Sequence, residues 1–188
     1  MTIDELRKIH PDATEDTWHR HPNGGGWVAN TATVPDAVYV SSGTTIGNYT
    51  TIGNGTRIGS ETRIGNYTTI GNYTTIGNYT RIGNYTTIGS GTRIGNETTI
   101  GNETRIVDMA IIESGVTFER SPLQIQGTRH LVCQSSVTQI AIGCQVLTPE
   151  EWLEEGREIG REYDYSETEL EEYGRHIRYM AEVMGVEI

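Results

Sequence analysis

The chain has 188 residues and a formal net charge of −11, a length that leaves room for one domain with its caps and little else. Charge is uneven: residues 28–118 carry six acids against five arginines, and residues 149–188 carry thirteen acids against four arginines. With no basic stripe this excludes a nucleic-acid groove, and with neither a signal-peptide pattern nor an apolar run of spanning length a cytoplasmic protein without a membrane partner is expected.

The N-terminal segment, residues 1–27, predicts a short helix over 1–8 and then a loop-rich stretch. That stretch holds Trp18, His19, His21 and the run Gly24-Gly25-Gly26 before Trp27. His19 and His21, two apart on extended backbone, would point the same way. No third ligand lies within reach, so no metal site is assigned.

From Val28 to Ile112 an aliphatic residue recurs at every sixth position, fifteen times without a slip. Between Ile46 and Ile100 the spacer is nearly constant: Gly, then Asn or Ser, a variable residue, Thr, and Thr or Arg. Neither a helical period of 3.6 nor a strand period of 2 explains this. A short strand, a corner and another short strand do. Gly47-Asn48 and its copies supply turn chemistry, since both residues tolerate positive φ. Taking Tyr49-Thr50-Thr51-Ile52 as the strand sends Thr50 and Ile52 inward and Tyr49 and Thr51 outward. Three hexapeptides per turn then make five triangular coils, about 24 Å tall at ~4.8 Å per coil. Stacking every eighteenth residue places Tyr49, Tyr67 and Tyr85 beside Thr51, Thr69 and Thr87 on one uncharged face. That face is a candidate interaction surface; strand-forming side chains on a plain sheet face are the other reading. The Asn-x-Thr triplets read as corner residues rather than glycosylation acceptors.

Phe118 takes the next aliphatic slot and is expected to close the column. Residues 119–148 predict three short strands: Leu123–Ile125, His130–Cys133 and Val137–Ile142. Gly127-Thr128-Arg129-His130 makes the first turn, and Gly143-Cys144 ends the third strand. Cys133 and Cys144 lack a paired-cysteine or zinc spacing and are expected to be buried thiols. Residues 149–188 predict a helical hairpin. Thr148-Pro149-Glu150-Glu151 and Ser166-Glu167-Thr168-Glu169 are capping boxes. Leu170, Tyr173, Ile177, Met180 and Met184 form an apolar stripe at helical spacing.

The Ile-Gly-Asn-x-Thr-x units resemble the left-handed parallel β-helix of the hexapeptide-repeat superfamily, which includes the hexapeptide acyltransferases. The left hand comes from that resemblance, because the general rule for parallel crossovers predicts the opposite hand. The fold expected is therefore mainly β: a left-handed parallel β-helix of about five coils, with a small module of strands and two helices behind it. The resemblance implies a homotrimer. It also implies enzymes that use a histidine as general base and seat an acyl carrier between coils of adjacent subunits. Residues 28–118 hold no histidine and no loop insertion. An acyltransferase using a CoA-linked donor would need His130 or His21 from a cap, and the zinc-binding histidines of the related carbonic anhydrases are absent.

Ser121-Pro122-Leu123, Gly127-Thr128-Arg129-His130, Ile142-Gly143-Cys144 and the start of the Glu151-Trp152 helix look like the C-terminal module of hexapeptide-repeat proteins found in phages and prophages. The reading adopted from the sequence is a non-enzymatic scaffold, a phage or bacterial accessory factor in the host cytoplasm. It would have no cofactor and no catalytic residue, and would bind a protein partner or a small anionic ligand. Gly127, Thr128, Arg129 and His130 are the candidate anion site, for instance for a phosphate-bearing metabolite; an Arg and a His on an exposed turn is the plainer alternative. Ice binding is disfavoured, because only one threonine of each strand faces outward.

Overall fold

The structure is a computed structural model that describes all residues, Met1–Ile188. It divides into two compact units, residues 1–109 with 113–121, and residues 122–188 with 110–112.

The first unit is a β-solenoid of about five turns. Its strands are two residues long and join in three parallel sheets. One sheet stacks Thr45–Ile46, Arg63–Ile64, Arg81–Ile82, Thr99–Ile100 and Thr117–Phe118; a second stacks Thr51–Ile52, Thr69–Ile70, Thr87–Ile88 and Arg105–Ile106. The register is eighteen residues, as in Thr51 opposite Thr69 and Ile52 opposite Ile70. Every isoleucine of the repeat is buried, and so is the threonine two positions before it. Burying a hydroxyl without a partner is costly. The repeat avoids that cost: Thr50 Oγ1 donates to the Gly65 carbonyl at 2.8 Å, and Thr62 Oγ1 to Gly77 at 2.9 Å. Phe118 is buried and pairs with Ile100 on the last turn.

The corners differ from the sequence expectation. Positive φ falls not on Gly47 or Asn48 but on the variable third residue, with Tyr49, Tyr67 and Tyr85 at φ 56°. The strands are correspondingly shorter than four residues, so the tyrosines stand at a corner while Thr51, Thr69 and Thr87 lie on the sheet. The repeat glycine serves a different need. A Cβ on Gly53 would lie 2.5 Å from the backbone of Gly71 and Asn72, so only glycine lets successive turns approach. The asparagine forms its own ladder: Asn48 N–H donates to Asn66 Oδ1 at 2.8 Å, and Asn66 N–H to Asn84 Oδ1 at 2.7 Å.

Helix α1 (Ile3–Arg7) opens with a capping box of Thr2 and Glu5. Trp18–Arg20 pairs antiparallel with Trp27–Ala29, which pairs parallel with Thr45–Ile46. Leu6, Ala13, Trp18, Trp27 and Ala29 form a small core over this end, which covers the first solenoid edge.

The second unit holds a four-stranded antiparallel sheet, Gln124–Gln126, Leu131–Gln134, Ile140–Ile142 and Gln145–Leu147. The sequence suggests three strands. Val137 and Thr138 instead belong to a turn, and Gly143-Cys144 is a hairpin turn leading to the fourth strand. Cys144 is therefore exposed, contrary to the expectation of a buried thiol, whereas Cys133 is buried; both are free. Burial pushes the Cys133 thiol up to about 12. Helices α2 (Pro149–Glu162) and α3 (Glu167–Met184) each begin with the expected capping box. Their core is Val132, Ile140, Trp152, Tyr173, Ile177 and Met180. Trp152 Nε1 donates to the Ile140 carbonyl at 2.8 Å. No helix is long and apolar enough to cross a membrane.

Candidate functional site

The glycine turn proposed for anions is tied into the helices. Thr128 donates through its backbone N–H and its hydroxyl to the Glu172 carboxylate at 2.8 and 2.6 Å. Those bonds hold the Glu172 carboxyl below its usual range. Arg129 Nη1 donates to the Asp164 carbonyl at 2.8 Å, and its guanidinium lies 4.5 Å from the Tyr165 ring centroid. The Arg129 and His130 N–H groups both donate to Tyr173 Oη, and Tyr173 donates to the His130 carbonyl at 3.0 Å. Gly127 is required by this arrangement, since a Cβ there would lie 2.6 Å from Tyr173 Oη. The turn's donors thus already serve protein groups, one of them a carboxylate. Of the four residues, His130 lines the cavity beside the helices and the other three do not. Its Nδ1 is hydrogen-bonded to Tyr165 Oη. Burial raises the Tyr165 phenol to about 12, so it stays protonated.

That cavity, about 410 Å³, lies between α2, α3 and the sheet of the second unit. Trp152, Leu153, Ile159, Tyr165, Leu170 and Tyr173 give it a mainly apolar wall. No group of three or more His, Cys, Asp or Glu gathers anywhere to hold a metal. His19 Nδ1 is bonded to Asn30 Oδ1 at 2.7 Å. His21 is buried; its Nδ1 is bonded to the Asn23 backbone, its Nε2 has no hydrogen-bond partner, and it lines neither that cavity nor the groove on the solenoid.

A second depression lies on the solenoid. A shallow groove of about 360 Å³ runs across the sheet of Thr45, Arg63, Arg81 and Thr99, beside the corner glycines Gly65, Gly83 and Gly101. Ile9 and His10, from the segment after α1, wall one end. Two buried polar atoms among its lining residues have no hydrogen-bond partner: His10 Nε2 and Thr45 Oγ1. Orphaned buried groups are uncommon and call for an explanation. The His10 ring packs 4.6 Å from the Trp18 ring. Burial first, and the Arg63 charge second, lower the His10 pKa below the ordinary 6.5. His10 is therefore a neutral imidazole at pH 7, a state able to accept a proton. The sequence carried no signal for this residue, because the groove residues beside it, Thr45 and Arg63, lie 35 or more positions away and no spacing links them.

The tyrosine corner is a continuous stack: Tyr49 to Tyr67 at 5.0 Å and Tyr67 to Tyr85 at 4.9 Å between ring centroids. All three rings are exposed, which leaves their edges and hydroxyls facing solvent.

Comparison with known proteins agrees at the level of the fold. Residues 43–78 and 73–108 match the family described as bacterial transferase hexapeptide (six repeats), which makes this tract a hexapeptide repeat. No curated protein matches the chain in sequence. Among solved structures, a point mutant of perosamine N-acetyltransferase from Caulobacter crescentus, in complex with CoA and GDP-perosamine, is similar with a TM-score of 0.50 and 18% identity. The match covers 63% of this chain and 58% of that one. The acetyltransferase domain of PglB from Neisseria gonorrhoeae, in complex with acetyl coenzyme A, has a TM-score of 0.30 and 17% identity, over 61% of this chain and 62% of that one. The chain thus spans about three fifths of the length of these two structures.

Proposed function

We propose that the protein is a hexapeptide-type acyltransferase that takes its acyl group from a CoA-linked donor and uses the solenoid groove. One observation carries this reading: a neutral histidine with an orphaned ring nitrogen, His10, stands at one end of a groove that also presents Arg63 and Arg81. The two arginines are suited to phosphates, which they bind as fixed, always-charged forks. His10 would take the proton of an acceptor amine or hydroxyl as that atom attacks the thioester carbonyl. The acyl C–S bond then breaks and CoA leaves as its thiol. The hexapeptide resemblance and the fold shared with the perosamine enzyme support the reaction class. They also support a trimer in which a second subunit deepens a groove that is shallow on one chain. The acceptor is a substrate this reading leaves to experiment.

The test is turnover of acetyl-CoA with a panel of amines and sugar nucleotides, following free thiol. Wild type should release thiol in an acceptor-dependent manner. His10→Asn should lower the rate about 100-fold, the usual contribution of a general base, with CoA binding retained. Absence of acceptor-dependent thiol release over the whole panel contradicts the reading.

A second reading, a scaffold that binds without catalysing, is favoured by the column itself, which has no histidine or insertion from residue 28 to 118. On that reading the stacked Tyr49, Tyr67 and Tyr85 form a partner or subunit surface. Tyr67→Ala with Tyr85→Ala would then weaken assembly with turnover absent throughout.

A further inference from the structure

The helical hairpin holds two glycines that no residue of the facing helix requires. Gly156 in α2 and Gly174 in α3 both line the 410 Å³ cavity. A Cβ on Gly174 would meet only Arg178 of the same helix, at 3.5 Å; one on Gly156 would meet only the Trp152 ring of the same helix, at 3.1 and 3.8 Å. Gly160 is the contrasting case, where a Cβ would collide with Leu170 Cδ2 at 2.3 Å. Gly160 opposite Leu170 fixes the register of this short-looped, antiparallel pair. One turn away, that register sets Gly156 opposite Gly174. Glycine inside a helix is unfavourable relative to almost any other residue, and here each leaves a stretch of bare backbone on the cavity wall.

Charge is sorted around the same cavity. Residues 149–188 contain thirteen acids and four arginines. Three of those arginines, Arg157, Arg175 and Arg178, line the cavity, against a single acid, Glu171. Arg157 is engaged by Glu167. Arg178 donates to the Gly174 carbonyl at 3.2 Å, and neither it nor Arg175 is paired with a carboxylate. An apolar, aromatic interior with a basic rim on an otherwise acidic segment matches a ligand with a planar body and an anionic end.

We propose that this cavity binds a mononucleotide-type anion, its planar ring in the slot between Gly156 and Gly174 and its phosphate at Arg175 and Arg178. His130, on the cavity wall with its Nδ1 held by Tyr165, offers its other ring nitrogen to the ligand's polar edge. The site is separate from the solenoid groove, so it stands whether or not the protein transfers acyl groups.

Calorimetric titration of the full chain with AMP, GMP, CMP and UMP tests this, with inorganic phosphate and decanoate as controls. At least one nucleotide should bind with a Kd of about 0.1 mM or tighter, and both controls should bind at least about tenfold more weakly. Arg175→Ala with Arg178→Ala, two exposed positions that leave the core untouched, should weaken binding about tenfold or more. Gly174→Leu should abolish binding while the melting temperature holds or rises, since leucine favours the helix. Arg63→Ala with Arg81→Ala should leave nucleotide affinity unchanged. The proposal is overturned if no nucleotide binds, if decanoate binds more tightly, if Gly174→Leu binds normally, or if the groove variant loses the nucleotide. Concentration-dependent self-association that Gly174→Leu abolishes would also overturn it, by making the slot a contact between copies.

Discussion

The solenoid and the helical unit use the same residue types for opposite ends. In the solenoid a glycine is wherever two turns must touch, as at Gly77, where a Cβ would lie 2.5 Å from the Asn96 backbone. In the helical hairpin Gly156 and Gly174 stand where a Cβ would meet only a side chain of the same helix, Trp152 or Arg178. Tyrosines in the solenoid stack on each other outside; Tyr165 and Tyr173 in the helical unit meet edge to face and hydrogen-bond the glycine turn. Repetition makes every turn equivalent, so the column is rigid and chemically quiet except where the N-terminal segment lays His10 on it. Irregularity is what creates a cavity in the second unit.

The largest effect that sharpens this contrast is removal of a column isoleucine. Ile88 is fully buried and stacked in register between Ile70 and Ile106, so Ile88→Ala should destabilise the protein by about 2–5 kcal/mol in denaturant titration. Next come two identical substitutions with opposite signs. Gly77→Ala should cost about 1–3 kcal/mol, because backbone cannot move aside, whereas Gly174→Ala should stabilise by up to ~1 kcal/mol. Equal effects would erase the distinction between a packing glycine and a space-leaving one.

Acid should separate the units further. Glu151, Glu169 and Glu172 are each held below the usual carboxyl range, chiefly by hydrogen bonds from Thr148, Ser166 and Thr128. A depressed carboxyl contributes stability that is present above its unfolded value of 4.5 and is lost as pH falls through the folded value. The helical unit should therefore loosen first below about pH 4.5, with the solenoid amides still protected in hydrogen exchange. His10 has the same sign: its lowered pKa means that the N-terminal cap should weaken as pH falls below the ordinary 6.5. His10→Phe should remove that weakening. The smallest effect is expected at Tyr67→Gly. Relief of a left-handed tyrosine, worth roughly 1–2 kcal/mol, opposes the loss of two ring stacks, together about 1–3 kcal/mol.

Much of this architecture can be read from residue order. The six-residue spacing of the isoleucines and the two capping boxes locate the solenoid and both helices, because each depends on neighbours close in the chain or on a strict period. Three features are not legible in that way. The corner conformation moved from Gly-Asn to the tyrosine because coil-to-coil approach, a contact eighteen residues apart, claims the glycine. The turn at Thr128 resembles an anion site until Glu172, forty-four residues on, occupies it. His10 has no spacing to Arg63 or Thr45 that a sequence pattern could register. The glycines at 156 and 174 were a local sign of the cavity, being poor helix formers in the middle of two well-capped helices.

The claim that the solenoid groove receives a CoA-linked donor is tested most directly by titrating CoA into the wild-type chain and into Arg63→Ala with Arg81→Ala. The account predicts that wild type binds and that the double variant binds at least about tenfold more weakly, through lost phosphate contacts. Gly174→Leu should bind CoA as wild type does. Equal CoA affinity in wild type and the arginine variant, or loss of CoA in Gly174→Leu, would contradict it.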